Sequence, residues 1–504
     1  MRFPEAAWKE WKAACYEELE SLDKHEVFEL TNLPKGRKTI GCRWVFDVKG
    51  DGHKKARLVA QGFSQVEGVD FNKLFSPVVR FESVRLMLAL AALHNWFMTS
   101  VDVRTAYLYR KLDEEIYMQQ PEGFIARGQE SKVIHLKRAL YGLKQAGLAW
   151  WKELSNSMKD LGFTCLNSDA GIFVCREGTR LIVAMVYVDD AMFFSKNEKL
   201  VKKKKALFMA KWECRDLRNV KEFLQMRIMH TRSGITIDQC AYLDTVLERF
   251  QLTNAKSAPT LLPARWDPKA NTGQATAAEI TRYQSIIGSL LYLMIGTRPD
   301  IAFAVTHLSQ FSTNPTKDHY QAAVHICRYL VGSQDYKLVY SQEADKGLVA
   351  FTNSDWAADK IWCRSVTGYS FKLANSIISW RSHAQKTVAL SSMEAEYMAI
   401  SDCSRQAIWI KTLIKELGIQ IKTVPIYGDN QGLIFIASNA VQESWTKHID
   451  ICYHYICELV AAKEVDLQFM PGEMNPTNML TKNLLRVKFT QFRNQLGLEF
   501  GSPS

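Results

Sequence analysis

The stretch that most constrains this chain is Tyr187-Val188-Asp189-Asp190, preceded by an apolar run at 181–186 and followed by Ala191-Met192-Phe193-Phe194. Two adjacent carboxylates between two strand-like apolar runs predict the tip of a β-hairpin that pushes negative charge out of a packed sheet. Such charge needs a partner. A pair of divalent cations roughly 3.5–4 Å apart, as phosphoryl transfer uses them, is the natural one, and it calls for a third carboxylate. Asp102 is the candidate, in the short strand-like run Ser100-Val101-Asp102-Val103 after an apolar, helix-like segment at 86–97. Taken alone, a Tyr-x-Asp-Asp tetrapeptide is more often a surface turn; the rest of the chain reverses those odds.

A chain of 504 residues has room for roughly three domains. Its 47% apolar and 23% charged residues are the proportions of a folded protein. The formal charge of +11, spread among aromatics, points to an anionic partner, and nucleic acid fits best. The 11 cysteines are odd in number and include no Cys-x-x-Cys pair, which argues for reduced thiols inside a cell and against a zinc knuckle. Met1-Arg2-Phe3-Pro4-Glu5 does not read as a signal peptide, and no apolar run reaches the roughly 18 residues of a membrane span. A soluble, intracellular, non-secreted protein is expected.

Spacings of three and four among Trp8, Trp11, Ala14, Cys15, Leu19 and Leu22 predict an amphipathic helix over 8–22. Strands are expected at 26–30, 41–48 and 55–60, the last two joined by the turn Lys49-Gly50-Asp51-Gly52. Residues 257–273 read as a linker, and 280–340 as helix-rich, with helices at 282–294, 301–311 and 317–330. From about Gly347 the pattern becomes strand, helix, strand, helix, that of a small α/β domain. The charge run at 202–205 opens a helix and is expected to be a solvated face.

Several motifs occur in one order: Lys55-Ala56-Arg57-Leu58-Val59-Ala60-Gln61-Gly62-Phe63, Phe75-Ser76-Pro77-Val78-Val79-Arg80, Asp102 with Tyr107, Glu115-Ile116-Tyr117-Met118 and Gln120-Pro121-Glu122-Gly123-Phe124. Ala139-Leu140-Tyr141-Gly142-Leu143-Lys144-Gln145-Ala146, the carboxylate hairpin, Arg298-Pro299-Asp300-Ile301, Ser391-Ser392-Met393-Glu394-Ala395-Glu396-Tyr397 and Lys447-His448-Ile449-Asp450-Ile451 follow. This series resembles the reverse transcriptase of Ty1/copia-type LTR retrotransposons over nearly the whole chain. The resemblance implies an α+β and α/β multidomain fold: a right-hand polymerase with fingers and palm at 1–245, a helix-rich thumb and connection at 246–345, and a ribonuclease H-like α/β domain with its tail at 346–504. The gag, protease and integrase parts of such a polyprotein are not in this sequence.

The resemblance also implies site residues. Asp102, Asp189 and Asp190 would hold two Mg²⁺, with Mn²⁺ able to substitute. Lys55 and Arg57 alternate so that both face one side of a strand, where they would grip the β and γ phosphates of an incoming deoxynucleoside triphosphate. Tyr107 matches an aromatic gate against the ribose 2′-hydroxyl, and Gln145 a glutamine that supports the nucleotide near its sugar. The chain departs from the family at Tyr109-Arg110-Lys111, where Asn-Gly and an acid are usual, at Gly147-Leu148, where Pro-Arg is usual, and at Arg218 and Gln225, which replace glycines.

In the ribonuclease H-like part the family's four acids fall on Asn353, Glu396, Asp429 and Asn478. Two amides bring no negative charge, so hybrid cleavage is expected to be severely reduced, with Asp355 compensating in part. The expected function is RNA-directed DNA polymerisation on RNA template, DNA primer and RNA/DNA hybrid, in cytoplasmic particles with a nuclear stage for integration. The alternative is the product of a decayed or domesticated element that binds nucleic acid without catalysis. Tyr107 and the C-terminal part disfavour a viral RNA polymerase. Oligomeric state is not legible.

Overall fold

The computed structural model describes the chain apart from residues 1–4, 49–51, 73, 219, 232–233, 264–265, 267, 344–346, 360, 440–446 and 502–504, and gives the backbone alone for 5–7, 436–439 and 447–450. Most of the turn expected at Lys49-Gly50-Asp51-Gly52 lies outside the described residues. Two compact units emerge, one of residues 1–79 and 99–218, the other of 80–98 and 219–504. The expected divisions at 245/246 and 345/346 both fall inside the second unit.

In the first unit the helix Glu5–Lys24 takes the predicted place, and Trp11, Cys15 and Leu22 on its apolar face are buried. The strands Cys42–Val48 and Lys54–Ala60 pair antiparallel, with Val45 opposite Arg57 and Asp47 opposite Lys55. Ala56, Leu58 and Ala60 are buried, so Lys55, Arg57 and Val59 share the half-exposed face, as a period of two requires. A six-stranded sheet runs in the order Cys214–Arg218, Phe97–Val103, Asp190–Ser195, Arg180–Tyr187, Ile172–Glu177, Thr164–Cys165. Its central strands are apolar on both faces, and Ile182 to Val186 and Ala191 to Phe194 are all buried.

The expected solvated face at 202–205 needs correction. The helix Glu198–Lys211 forms, but Lys204 and Lys205 are each only 7% exposed. Lys204 Nζ donates to the Leu161 carbonyl at 2.8 Å and pairs with Glu177 at 3.1 Å; Lys205 Nζ reaches Thr99 and Asp216. Their long stems cover apolar surface while their ammonium groups find partners, so half of this run is structural.

In the second unit the helices Ala277–Gly296, Ala302–Ser309 and Lys317–Val331 match the helix-rich region. The Arg298-Pro299-Asp300 motif is a buried ion pair, with guanidinium nitrogens 2.9 and 2.7 Å from the Asp300 carboxylate. Ser333 and Tyr329 supply the remaining hydrogen bonds, which is what a charge pair out of water requires. Arg85, fully buried, is held chiefly by backbone carbonyls. It donates to the carbonyls of Ile378 at 2.8 Å, Ile295 at 2.5 Å and Gly296 at 2.8 Å, and lies 3.8 Å from the Trp380 ring centroid. Trp380 Nε1 donates to the Met294 carbonyl at 3.1 Å, so two side chains cap the end of one helix.

The expected strand, helix, strand, helix order from Gly347 is incomplete. Three antiparallel strands, Val349–Asp359, Arg364–Leu373 and Ser376–Ala384, precede the long helix Ser392–Glu416, and Val424–Gly428 and Val465–Phe469 then add in parallel. The short connections between the first three strands carry few breaker residues, which hid the hairpins. A further five-stranded sheet joins Glu222–Phe223, Met226–Thr231, Gly234–Asp238, Tyr336–Tyr340 and Leu498–Phe500 in that order. This sheet spans the expected domain boundaries. Among the described residues no helix is long and apolar enough to cross a membrane.

The two residues expected to replace glycines are strained. Arg218 and Gln225 have φ of +55° and +54°, and Leu224, beside Gln225, has +53°. Leu224 and Gln225 are the two central residues between the paired Phe223 and Met226, a position that favours Asn-Gly because both φ values are positive. The double variant Leu224→Asn, Gln225→Gly is therefore expected to raise unfolding stability by about 1 kcal/mol. Chemical denaturation measures this, and an unchanged or lower midpoint would contradict it. Arg85→Ala should lower stability by roughly 3–5 kcal/mol, because it opens a cavity and strips hydrogen bonds from two buried carbonyls and one part-buried one.

Candidate functional site

The hairpin formed by Arg180–Tyr187 and Asp190–Ser195 pairs Tyr187 with Asp190 and leaves Val188 and Asp189 as the turn. Val188 has φ +54°, a costly conformation for a β-branched residue. Two contacts hold it. Trp150 Nε1 donates to the Val188 carbonyl at 2.6 Å, and the Val103 N–H donates to the Asp189 carbonyl at 2.7 Å. The second bond ties the turn to the strand Phe97–Val103, which carries Asp102, so the three candidate aspartates stand on neighbouring strands of one sheet.

Burial raises the Asp189 carboxyl above its usual range, the charge of Asp102 raises it further, and Arg57 and Lys55 pull it back. Lys55 and Arg57 thus act on the same carboxylate that Asp102 repels. Among the described residues, however, no three Asp, Glu, His or Cys side chains are arranged to hold one metal ion. What the fold supplies is a backbone juxtaposition, the strand of Asp102 beside the turn of Asp189 and the strand that Asp190 begins. The donor set still suits a hard divalent cation, since it offers carboxylate oxygens whose mutual repulsion such a charge would relieve.

Tyr107 follows Thr105, which also has a positive φ, +52°, and lies in the short helical turn Ala106–Tyr109. Its ring packs edge-on against Tyr141 with centroids 4.8 Å apart, and burial first, then Asp189, raises its hydroxyl pKa. Arg57 lies 5.2 Å from the Tyr141 ring centroid. Arg57, Tyr141 and Tyr107 thus pack in series, and the charge of Asp189 is felt at the last of them. Gln145 is only 5% exposed: its Nε2 donates to the Asp70 carbonyl at 2.7 Å and its Oε1 accepts from Gln65 at 3.0 Å. Its amide is committed to the loop around it, so it shapes the site through backbone placement. At Tyr109, where the family turn is altered, the hydroxyl accepts from the Glu213 N–H at 3.0 Å and the ring packs on Trp212.

Sequence reasoning missed Glu18. Its carboxylate accepts from the Leu58 N–H at 3.3 Å, burial raises its pKa, and that hydrogen bond, Lys55 and Arg57 lower it. It is a counter-charge for the two cations, and nothing in a surface-helix pattern marks it. Trp150 was likewise hidden among ordinary core aromatics. Behind the turn, Ser76, Pro77, Tyr107, Trp150, Phe173 and Val188 line a cavity of about 140 Å³. Another cavity, of about 760 Å³, lies between Pro263, Trp266 and Pro268 on one side and the helix Lys317–Val331 on the other and includes none of the candidate residues.

A second group of candidates lies in the other unit. Asn353 is 2% exposed and hydrogen-bonded to Asn478, while Glu396 Oε1 accepts from the Ser354 N–H at 2.9 Å. Burial, followed by the charge of Asp429, pushes the Glu396 carboxyl up to about 8. Asp355 and Asp429 are also raised by burial, and Lys482 lowers all three.

Residues 25–263 match the reverse transcriptase (RNA-dependent DNA polymerase) family. The chain is 38% identical over 499 residues to the retrovirus-related Pol polyprotein from transposon TNT 1-94 of Nicotiana tabacum, covering 96% of this chain and 37% of that one. The RE1 polyprotein of Arabidopsis thaliana is 35% identical over 98% of this chain and 34% of its own length. The putative transposon Ty5-1 protein of Saccharomyces cerevisiae is 30% identical over 60% of this chain and 98% of its own length. The chain belongs to the Ty1/copia-type reverse transcriptase family. It spans about a third of the length of the two plant polyproteins. The matched family segment contains Lys55, Arg57, Asp102, Tyr107, Gln145, Asp189 and Asp190, so the first site lies within the reverse transcriptase region and the second lies beyond it.

Removing one of the repelling, buried charges should stabilise the fold. Asp189→Asn is expected to raise the melting temperature in chelator, since it relieves burial of a charge beside Asp102. A lower melting temperature in scanning calorimetry would mean that Asp189 holds the turn together through a contact of its own.

Proposed function

We propose that this reverse transcriptase-family chain is an RNA-directed DNA polymerase whose chemistry lies at Asp102, Asp189 and Asp190, and whose C-terminal part is a ribonuclease H-like domain with impaired cleavage. The observation that carries the polymerase reading is the Val103–Asp189 backbone bond, which places two acids of different strands in each other's field beside Lys55 and Arg57. Two divalent cations bound there would activate a primer 3′-hydroxyl and neutralise the triphosphate.

The chain's own residues divide the remaining work. Lys55 and Arg57 face the acids from one strand side and bind the β and γ phosphates of the deoxynucleotide. Tyr107, stiffened by Tyr141, leaves no room for a ribose 2′-hydroxyl. Gln145 fixes the loop beneath the nucleotide, and Trp150 holds the strained turn in register. Phe63 and Phe75, 81% and 83% exposed, offer aromatic faces on which unpaired template bases can stack. The net charge of +11 favours the RNA template, DNA primer and hybrid that the reading requires. A fingers, palm and thumb arrangement, with action inside the cell, belongs to the same proposal.

Primer extension on poly(rA)/oligo(dT) with Mg²⁺ tests it. Incorporation by the unaltered chain should fall by roughly 10³-fold or more in Asp102→Asn and Asp189→Asn, the scale of losing a group that acts in the transition state. Tyr107→Ala should admit ribonucleotides at a cost in rate. Salt-sensitive hybrid binding without incorporation in any of these proteins would instead support a nucleic-acid binder without catalysis.

A further inference from the structure

If the C-terminal part is ribonuclease H-like, two cations there would need four acids, and the residues present do not fit them. Asn353 Nδ2 donates to Asn478 Oδ1 and to Thr481 Oγ1, both at 3.0 Å. Asn478 Nδ2 donates onward to the carbonyls of Gly472 and Asn475, the latter at 3.1 Å. Asn475 Nδ2 in turn donates to the Thr352 carbonyl at 2.8 Å. The amide protons thus run in one direction, from the strand Val349–Asp359 into the turn Pro476–Leu480, and back to the strand through Asn475.

We propose that this one-way amide relay has replaced a metal centre as the device that seats the turn on the strand, so that neither asparagine can revert to aspartate alone without loss of stability.

The direction of the relay carries the argument. A carboxylate at 353 would set an acceptor against the Asn478 acceptor, and Asn478 cannot flip in answer because its NH₂ is already committed to two carbonyls. A carboxylate at 478 would keep the bond from Asn353 but turn two donated hydrogen bonds into acceptor–acceptor contacts. The turn cannot retreat without giving up close packing, since it sits directly on Gly368, the cross-strand partner of Asn353. A Cβ at that glycine would lie 2.7 Å from Thr481 Cγ2 and 2.9 Å from Leu480 Cβ. Lys482, next in sequence, provides a protein-borne positive charge that acts on the remaining acids Asp355, Glu396 and Asp429. Among the described residues no three-ligand cluster competes with it.

The test uses the full chain with Asn353→Asp, Asn478→Asp, the double variant and Thr481→Val, followed by thermal unfolding in chelator and by Mn²⁺ titration with electron paramagnetic resonance. Each single aspartate should lower the melting temperature by roughly 3–8 °C. The double variant should bind at least one more Mn²⁺ than the unaltered chain and recover stability when it does. Thr481→Val, which deletes the second acceptor of Asn353 and the bond that the Thr481 hydroxyl donates to the Asn478 carbonyl at 3.2 Å, leaves no buried charge and should lower the melting temperature less, and it keeps the idea testable if a buried aspartate prevents folding. A single reversion or Thr481→Val that leaves the melting temperature unchanged overturns the relay, as does a double variant that gains no ion. Primer extension and hybrid cleavage by the unaltered chain report separately on the polymerase and impaired-cleavage readings. Either can fail while the melting temperatures stand.

Discussion

One backbone hydrogen bond, from the Val103 N–H to the Asp189 carbonyl, joins the strand of Asp102 to the turn of Asp189. It extends the pairing of two neighbouring strands into the turn itself, so acids far apart in sequence meet at one edge of the sheet. The bond is possible because Val188 accepts a left-handed backbone, and Trp150 holds that conformation from outside the hairpin. Thr105, the other β-branched residue with positive φ in this unit, stands between Asp102 and Tyr107. Strain is therefore concentrated within a few residues of the acids, and the buried strands around them over-determine it.

Short-range patterns were legible in the sequence. Alternation placed Lys55 and Arg57 on one face, helical spacing placed the helix Glu5–Lys24, and apolar runs around two aspartates gave the hairpin. What sequence reasoning missed depends on approach between distant segments. Glu18 becomes a counter-charge only when its helix meets the strand of Leu58, and Lys205 is buried only because Thr99 and Asp216 come to meet it. The Arg298-Pro299-Asp300 motif was visible as a family mark, but its role as a buried pair needed Ser333 and Tyr329. Gln145 shows the limit in the other direction. Its motif suggested contact with a nucleotide, whereas its amide is spent on Asp70 and Gln65.

The two acidic sites handle buried charge in opposite ways. At the first, carboxylates remain and the chain brings Lys55 and Arg57 to them without closing the group, leaving an electrostatic deficit that a ligand can fill. At the second, Asn353 and Asn478 are amides joined by a hydrogen bond, and the neighbouring Glu396 carboxyl is raised by burial and by the charge of Asp429.

The sheet that unites Gly234–Asp238, Tyr336–Tyr340 and Leu498–Phe500 has a kinetic consequence. Its last strand is supplied only when residue 500 has been synthesised, so earlier strands must wait on the ribosome with a hydrogen-bonding edge uncovered. Loop closure over such separations is slow. Assembly of the second unit is thus tied to the arrival of residues 498–500, and molecules interrupted before that strand would present the open edge to one another.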